Sequence, residues 1–134
     1  LISCTAMAII TFTSDFGIRD HYVAAVKAKI FNYNSNIQVI DISHEVAKHD
    51  MPHAAFVVNA VFRDFPKGTV HLVAVNSNNI GSNRCIALKV EEHYFVGFDN
   101  GLLSLLSEKP AIIVEIPFDK NNTHTFPEKT ILAF

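Results

Sequence analysis

Tryptophan is absent from this chain, and cysteine, glycine and proline are scarce: two Cys, five Gly and five Pro in 134 residues. Each shortage excludes something. Cys4 and Cys85 form no CxxC pair, so neither a disulfide framework nor a zinc site is indicated, and a reducing cytoplasm is the simplest compartment. The glycines form no GxGxxG and no GxxxxGK[ST]. Neither common phosphate-gripping loop is therefore present, and a bound nucleoside would be held by its sugar and base. No GxSxG elbow marks a serine nucleophile. Charge of one sign is also missing. The formal net charge is -2, which gives no electrostatic reason to expect nucleic acid or a membrane surface as partner. No apolar run approaches the ~20 residues that span a bilayer. The opening LISCTA lacks the length and basic flank of a signal peptide. Residues 1–7 read as an N-terminal extension or upstream remnant, and residues 8–134 as one domain.

Apolar residues are plentiful: 49% hydrophobic against 18% charged, a globular composition able to bury a core. AIITFT (8–13) reads as a buried strand ended by the turn SDFG. From His21 the period changes, because Tyr22, Val26 and Ile30 recur every four residues and predict a helix with one apolar face. IQVIDIS (37–43) is a second strand, and HEVAKHD a polar loop. Asp50 is placed to cap the next helix, with Pro52 tolerated in its first turn. That helix, AAFVVNAVF, is apolar nearly all round, which predicts cover on several sides. VHLVAVN (70–76) is a third strand, CIALKV and YFVGF two more across the turn EEH, GLLSLL a short helix, and AIIVEIP another strand. Strand–helix–strand–helix–strand with near-continuous apolar strands predicts an α/β fold with a mostly parallel sheet covered on both faces, the later, closely linked strands pairing antiparallel.

In such sheets ligands bind beyond the carboxyl ends of the strands. Three polar loops meet that condition: SDFG, HEVAKHD and NSNNIGSNR. They carry Asp15, Asp20, His44, His49, Asp50, Asn76 and Arg84. Asp15 either accepts hydrogen bonds from a vicinal diol, as acids do with ribose, or caps its own turn. His49 and His53 lie four apart where a helix begins, a ligand spacing, but no motif supplies a third ligand, so no metal is assigned. His71 and His93, in or beside strands, read as partnered structural histidines. Arg84, close to a strand end, pairs with a carboxylate or a ligand anion, or else is a surface residue. The third loop holds four asparagines and no acid.

TSDFG (13–17), VIDISHEV (39–46), FPKGTVHLVAV (65–75) and DNGLLS (99–104) occur in this order and spacing. Together they resemble the S-adenosyl-L-methionine (SAM) hydroxide adenosyltransferases, the adenosine-forming SAM hydrolases, in one superfamily with the fluorinases and chlorinases. The resemblance spans about residues 8–134. It implies a Rossmann-like three-layer domain, normally followed by a β-barrel domain that is absent from this chain. It also implies a cytoplasmic homotrimer with sites between subunits, and displacement of methionine from the ribose 5′ carbon of SAM by hydroxide or halide, without a cofactor. Carried over residue by residue, Asp15 matches the acid on the ribose diol, with Phe16 beside it. Asp20 matches a second position near the substrate, and His49 one facing the nucleoside or sulfonium. Asp99 and Asn100 match the motif DNG. The third loop is similar to VDPGVGTxRR with one extra residue, and TFPEKTILAF to TFHGRDIFAP. In the hydrolases the Asp and first Arg of that loop join the later His to position the attacking water. Here Arg84 matches the Arg, but Asn76 stands for the Asp and Pro127 for the His. The implied function is SAM hydrolysis to adenosine and L-methionine, weak or impaired. The alternative is a degenerate member that binds a nucleoside or a protein without turnover.

Overall fold

Six strands and two helices build the domain in a computed structural model that describes residues 8–75, 84–107, 109 and 112–116. The order is β1 (Ile9–Ser14), α1 (Tyr22–Tyr33), β2 (Gln38–Ser43), α2 (Met51–Val61), β3 (Val70–Ala74), β4 (Cys85–Val90), β5 (His93–Phe98) and β6 (Ile112–Ile116). Short 3-10 turns follow α2 at Phe62–Asp64 and β5 at Leu103–Leu105. All six strands form one sheet in the order β2-β1-β3-β5-β4-β6. β2, β1, β3 and β5 run parallel, whereas β4 is antiparallel to both β5 and β6. The expected mostly parallel α/β sheet is what the chain forms, with the reversal at the β4–β5 link where the sequence is too short for a crossover.

Strand alternation sorts the apolar residues into two layers of core. On one face Phe12, Leu72 and Ala74 pack with Val26 and Ile30 of α1. On the other Val73, Val75, Ile86, Leu88 and Phe95 pack with Ala54, Ala55 and Val58 of α2. Phe12, Val26 and Val58 are completely buried, and removal of each such side chain from water contributes about 1.5–3 kcal/mol before entropy is counted. The predicted cap is in place: Asp50 Oδ1 accepts from the His53 amide at 3.0 Å, satisfying one orphan donor of α2. The expectation that α2 is covered on several sides is corrected. Ala54, Ala55 and Val58 face the sheet, but Phe56 is 72% exposed. The helix lies as an outer layer against one sheet surface, so its opposite side turns outward however apolar its sequence.

Two local features hold the sheet's middle. Gly97 of β5 pairs with Val73, and a Cβ there would come within 2.7 Å of the Val73 carbonyl oxygen, so a side chain is excluded. The β4–β5 turn uses Glu91 and Glu92, both with positive φ (50° and 65°), the backbone of a tight primed hairpin turn that Asn-Gly adopts more readily. Arg63 grips the Glu91 carboxylate at 2.6 Å, and the Glu92 carbonyl accepts from the Gly68 amide at 2.8 Å.

Beneath the α2 layer lies a buried polar row. Thr11 Oγ1 and His71 Nδ1 are 2.7 Å apart, and His71 Nε2 and His93 Nδ1 3.1 Å apart. His71 stacks on Phe95 at 4.9 Å and meets Phe62 edge-on at 5.9 Å. Both histidines are thus partnered and structural, as read from the sequence. Burial first, and the neighbouring His93 charge second, push the His71 imidazole down to about 4. His93 is likewise lowered, chiefly by burial. The folded state therefore favours neutral rings, while the unfolded chain takes up a proton below its ordinary value near 6.5. The contribution is fully present above that pH and is lost as pH falls toward 4, with a slope of up to about 1.4 kcal/mol per pH unit for one such histidine. Urea titrations should show stability falling steeply from pH 6.5 to 4.5. His71→Asn, which keeps an amide group opposite Thr11, should flatten that slope. An unchanged slope in the variant would assign the pH dependence elsewhere.

Candidate functional site

From β1 the chain crosses to β2 on one side, and from β2 it returns past β1 to β3 on the other. The chain thus leaves β1 toward one edge of the sheet and leaves β3 toward the other. Their carboxyl ends therefore flank a crevice, the switch point where α/β sheets bind ligands. Two of the three expected loops meet there: SDFG leaves β1 and HEVAKHD leaves β2, joined by the bond from the His49 amide to Asp15. Residues 76–83 and 117–134, and with them Asn76 and Pro127, lie outside the described residues.

Asp15 sits at the crevice and is only 5% exposed. A buried carboxylate requires donors. Its Oδ2 accepts from the His49 backbone amide at 3.1 Å, so the acid of the first loop is tied to the second. His49 has φ 63°, a left-handed conformation uncommon for a residue with a side chain. The Asp50 amide bonds the Ala47 carbonyl at 2.9 Å within the same turn. The His49 backbone N–H thus reaches Asp15, a contact that spacing of histidines cannot reveal. Phe16 turns into the α1 core, edge-on to Phe12 at 6.1 Å and Tyr22 at 6.3 Å. Asp20 lies exposed before α1.

Beyond β3 the site's members belong to β5, β4 and β6. Asn100 Nδ2 donates to the Val75 carbonyl at 2.9 Å, and Asn100 Oδ1 accepts from the Leu102 amide at 3.1 Å. Its amide braces the end of β3 against the turn after β5. The Asp99 amide donates to the Arg84 carbonyl at 2.9 Å. The Arg84 guanidinium lies 3.6 Å from both Asp99 Oδ2 and Glu115 Oε2. Of the alternatives for Arg84, pairing with carboxylates is realised, though the side chain remains 54% exposed. A cavity of about 370 Å³ opens beside it, walled by Ile86, Leu88, Leu103 and Ile113. With neighbouring strands about 4.8 Å apart, Asp15 just after β1 and Asp99 just after β5, two strands away, stand roughly 10 Å apart, with Arg84 one strand farther, just before β4. The candidates thus share one edge of the sheet as two groups, Asp15 with His49 and Asp99 with Asn100 and Arg84. The Cys85 thiol next to Arg84 is fully buried, and burial pushes it up to about 11; it is no nucleophile.

A third group escaped the sequence reading. Ser14 Oγ and His44 Nδ1 are 2.7 Å apart, His44 Nε2 and Asp41 Oδ1 2.8 Å apart, and Asp41 pairs with Lys27 of α1. Partial burial works against the Asp41 charge, but hydrogen bonds from Lys27 and His44 hold its carboxyl below the ordinary value. Both His44 ring nitrogens are engaged, so His44 has none left for a metal, and no cluster of three potential ligands occurs among the described residues. The signal lay in the ends of neighbouring strands: β1 ends in Ser14, and β2 carries Asp41 just before His44.

Comparison with known proteins agrees with this fold. The model of the SAM hydroxide adenosyltransferase N-terminal domain matches residues 10–134. The (R)-S-adenosyl-L-methionine hydrolase of Methanocaldococcus jannaschii is 40% identical over 93% of this chain and 50% of its own length. The protein of the same name from Thermus thermophilus is 33% identical over 83% of this chain and 45% of its own. A solved structure, an uncharacterized conserved protein from Thermotoga maritima, superposes with a TM-score of 0.79 at 36% identity, covering 92% of this chain and 50% of that one. The chain spans about half the length of the curated relatives it matches. With a six-stranded α/β sheet, a switch-point acid and a family match over nearly every residue, the chain belongs to the SAM hydroxide adenosyltransferase family, of which it carries the N-terminal domain.

Proposed function

We propose that this domain binds S-adenosyl-L-methionine and takes part in its cleavage to adenosine and L-methionine, with the water-activating part of the site impaired. The observation that carries the reading is Asp15: a nearly buried carboxylate at the β1/β3 switch point, fixed by the His49 amide, suited to accept two hydrogen bonds from a ribose diol. The relatives named as SAM hydrolases support the substrate. In the reaction a water oxygen attacks the ribose 5′ carbon, the carbon–sulfur bond breaks with its electron pair going to sulfur, and the water's proton leaves. The sulfonium is already a good leaving group, so the protein's task is alignment and desolvation. Binding without turnover is the second reading, and Asn76 and Pro127 favour it, because neither takes a proton from water.

Adenosine should bind, and 2′,3′-dideoxyadenosine should bind worse, each lost charge-assisted hydrogen bond costing about 1.5–3 kcal/mol. Calorimetry giving equal affinities would remove Asp15 from the diol.

Adenosine release from SAM should be slow, because general-base help is worth about 10²–10⁴ in rate. In the full polypeptide, Asn76→Asp with Pro127→His should release more adenosine than Asn76→Asp alone, measured by chromatography against an enzyme-free control. Fast turnover by the unchanged protein would show that another group handles the water.

We also propose assembly as a homotrimer. The run of exposed apolar side chains Ile112, Ile113 and Val114 on the edge strand β6, with Phe56 exposed on α2, supports self-association. Light scattering should give a mass above that of the monomer; a clean monomer at high concentration would overturn it.

A further inference from the structure

Ser14, His44 and Asp41 have the composition of a hydrolytic triad, yet the geometry argues for a different task. Ser14 is fully buried, with no surface from which to attack a substrate. The ring is also reversed relative to the serine hydrolases, where Nε2 meets the hydroxyl and Nδ1–H the carboxylate; here Nδ1 meets Ser14 and Nε2 meets Asp41. We propose that the Ser14–His44–Asp41 chain, continued to Lys27, is a positioning device for Asp15. The inference rests on the reading of Asp15 as the ligand-gripping acid.

The argument starts from tautomers. A proton on Nδ1 would leave the Nε2 lone pair facing the Asp41 carboxylate, an unfavourable contact. A proton on Nε2 lets that nitrogen donate to Asp41 and leaves Nδ1 to accept from the Ser14 hydroxyl. Asp41 thus sets the tautomer, and Lys27 holds Asp41 from the adjoining helix. With its hydrogen directed at His44, the Ser14 oxygen keeps lone pairs for the Phe16 amide, which approaches it at 3.4 Å. The His44 carbonyl takes the Gly17 amide at 2.7 Å, and Gly17 has φ 77°, the sharp reversal that ends the loop. Phe12 seats the imidazole edge-on at 4.7 Å. The residue before Asp15 and the two after it are therefore all bonded to this chain, while the carboxylate itself is held by the second loop through His49. A carboxylate that must meet two hydroxyls needs its backbone held to within about half an ångström, and the chain supplies that restraint from below, without touching the ligand.

The test compares His44→Phe, His44→Asn, His44→Gln and Ser14→Ala in the whole chain, with adenosine and 2′,3′-dideoxyadenosine as probes. Asn keeps a polar group at the Nδ1 position opposite Ser14, and Gln keeps one at the Nε2 position opposite Asp41. His44→Phe should stay folded by circular dichroism and lose roughly tenfold or more of the preference for adenosine over the dideoxy compound. His44→Asn should restore more of that preference than His44→Gln, an ordering that general loss of stability would not produce. Unchanged preference in a folded His44→Phe protein would overturn the proposal, as would rescue by Gln and not Asn. Nuclear magnetic resonance of the ligand-free protein separates this inference from the ligand reading. Imidazole nitrogen shifts should show the Nε2–H tautomer of His44. The Asp15 carboxyl carbon and the His49 amide should shift in Ser14→Ala, the gentler variant should His44→Phe fail to fold. Those shifts with no adenosine binding by the unchanged protein would uphold the positioning chain and sink the diol reading; an Asp15 carbon unmoved in Ser14→Ala would sink the chain.

Discussion

The double pairing of β1 is the constraint on which the rest of this domain depends. It bonds β2 on one edge and β3 on the other, and its faces point into both core layers, Phe12 toward α1 and Thr11 toward the His71 row. A strand fixed on four sides has no freedom of register. Ser14 ends it and Asp15 follows at a set height above the sheet, at the switch point between β1 and β3. The bulge between Phe12 and Thr13 in the pairing with β2 offsets the end of that ladder by one residue. Such an irregularity re-aims a strand's last residues, and here it lies where Ser14 and His44 must meet.

The elements of this fold were legible because their periods are simple. β-branched runs bounded by turn residues predicted all six strands, and the four-residue recurrence of Tyr22, Val26 and Ile30 predicted α1. Asp50 was recognised as a cap because the cap is local. What could not be read was the outcome of tertiary competition. AAFVVNAVF carries more apolar residues than one face can bury, and only packing decides that Phe56 is the one turned out. The site divides in the same way. Asp15, His49, Asp99, Asn100 and Arg84 were picked out by motif, and the topology brings them to one edge of the sheet. The part of His49 that reaches Asp15 is its amide, which composition does not encode. The chain from Ser14 to Asp41 joins residues some thirty positions apart through a strand pairing, and no window along the sequence contains both.

Polar groups inside the two layers are arranged by different rules. Under α2, Thr11, His71 and His93 satisfy one another among Phe62, Phe65 and Phe95 rings, a neutral network whose members resist protonation. On the α1 side the network is charged and runs outward, from buried Ser14 through His44 to half-exposed Asp41 and Lys27. At the half-exposed end the desolvation of the Asp41 charge is outweighed by the hydrogen bonds from Lys27 and His44, and the buried end transmits its orientation to the loop. One network stabilises the sheet's floor and the other shapes its rim.

Arg84 gives the third loop its meaning. An acid at position 76, which the family resemblance would put there, would be one counter-charge for this arginine, and Asn76 carries none. The structure offers another balance: Asp99 and Glu115, each 3.6 Å from the guanidinium. These pairs are exposed and individually weak, yet two carboxylates suffice to keep the charge from being isolated. Arg84 is thus balanced without an acid at 76, while Asp99 bonds the Arg84 carbonyl and Asn100 the Val75 carbonyl. What an amide at 76 cannot supply is a site for water's proton. Under the proposed function the change at 76 therefore bears on the handling of water, while the contacts of Arg84, Asp99 and Asn100 are made by other residues.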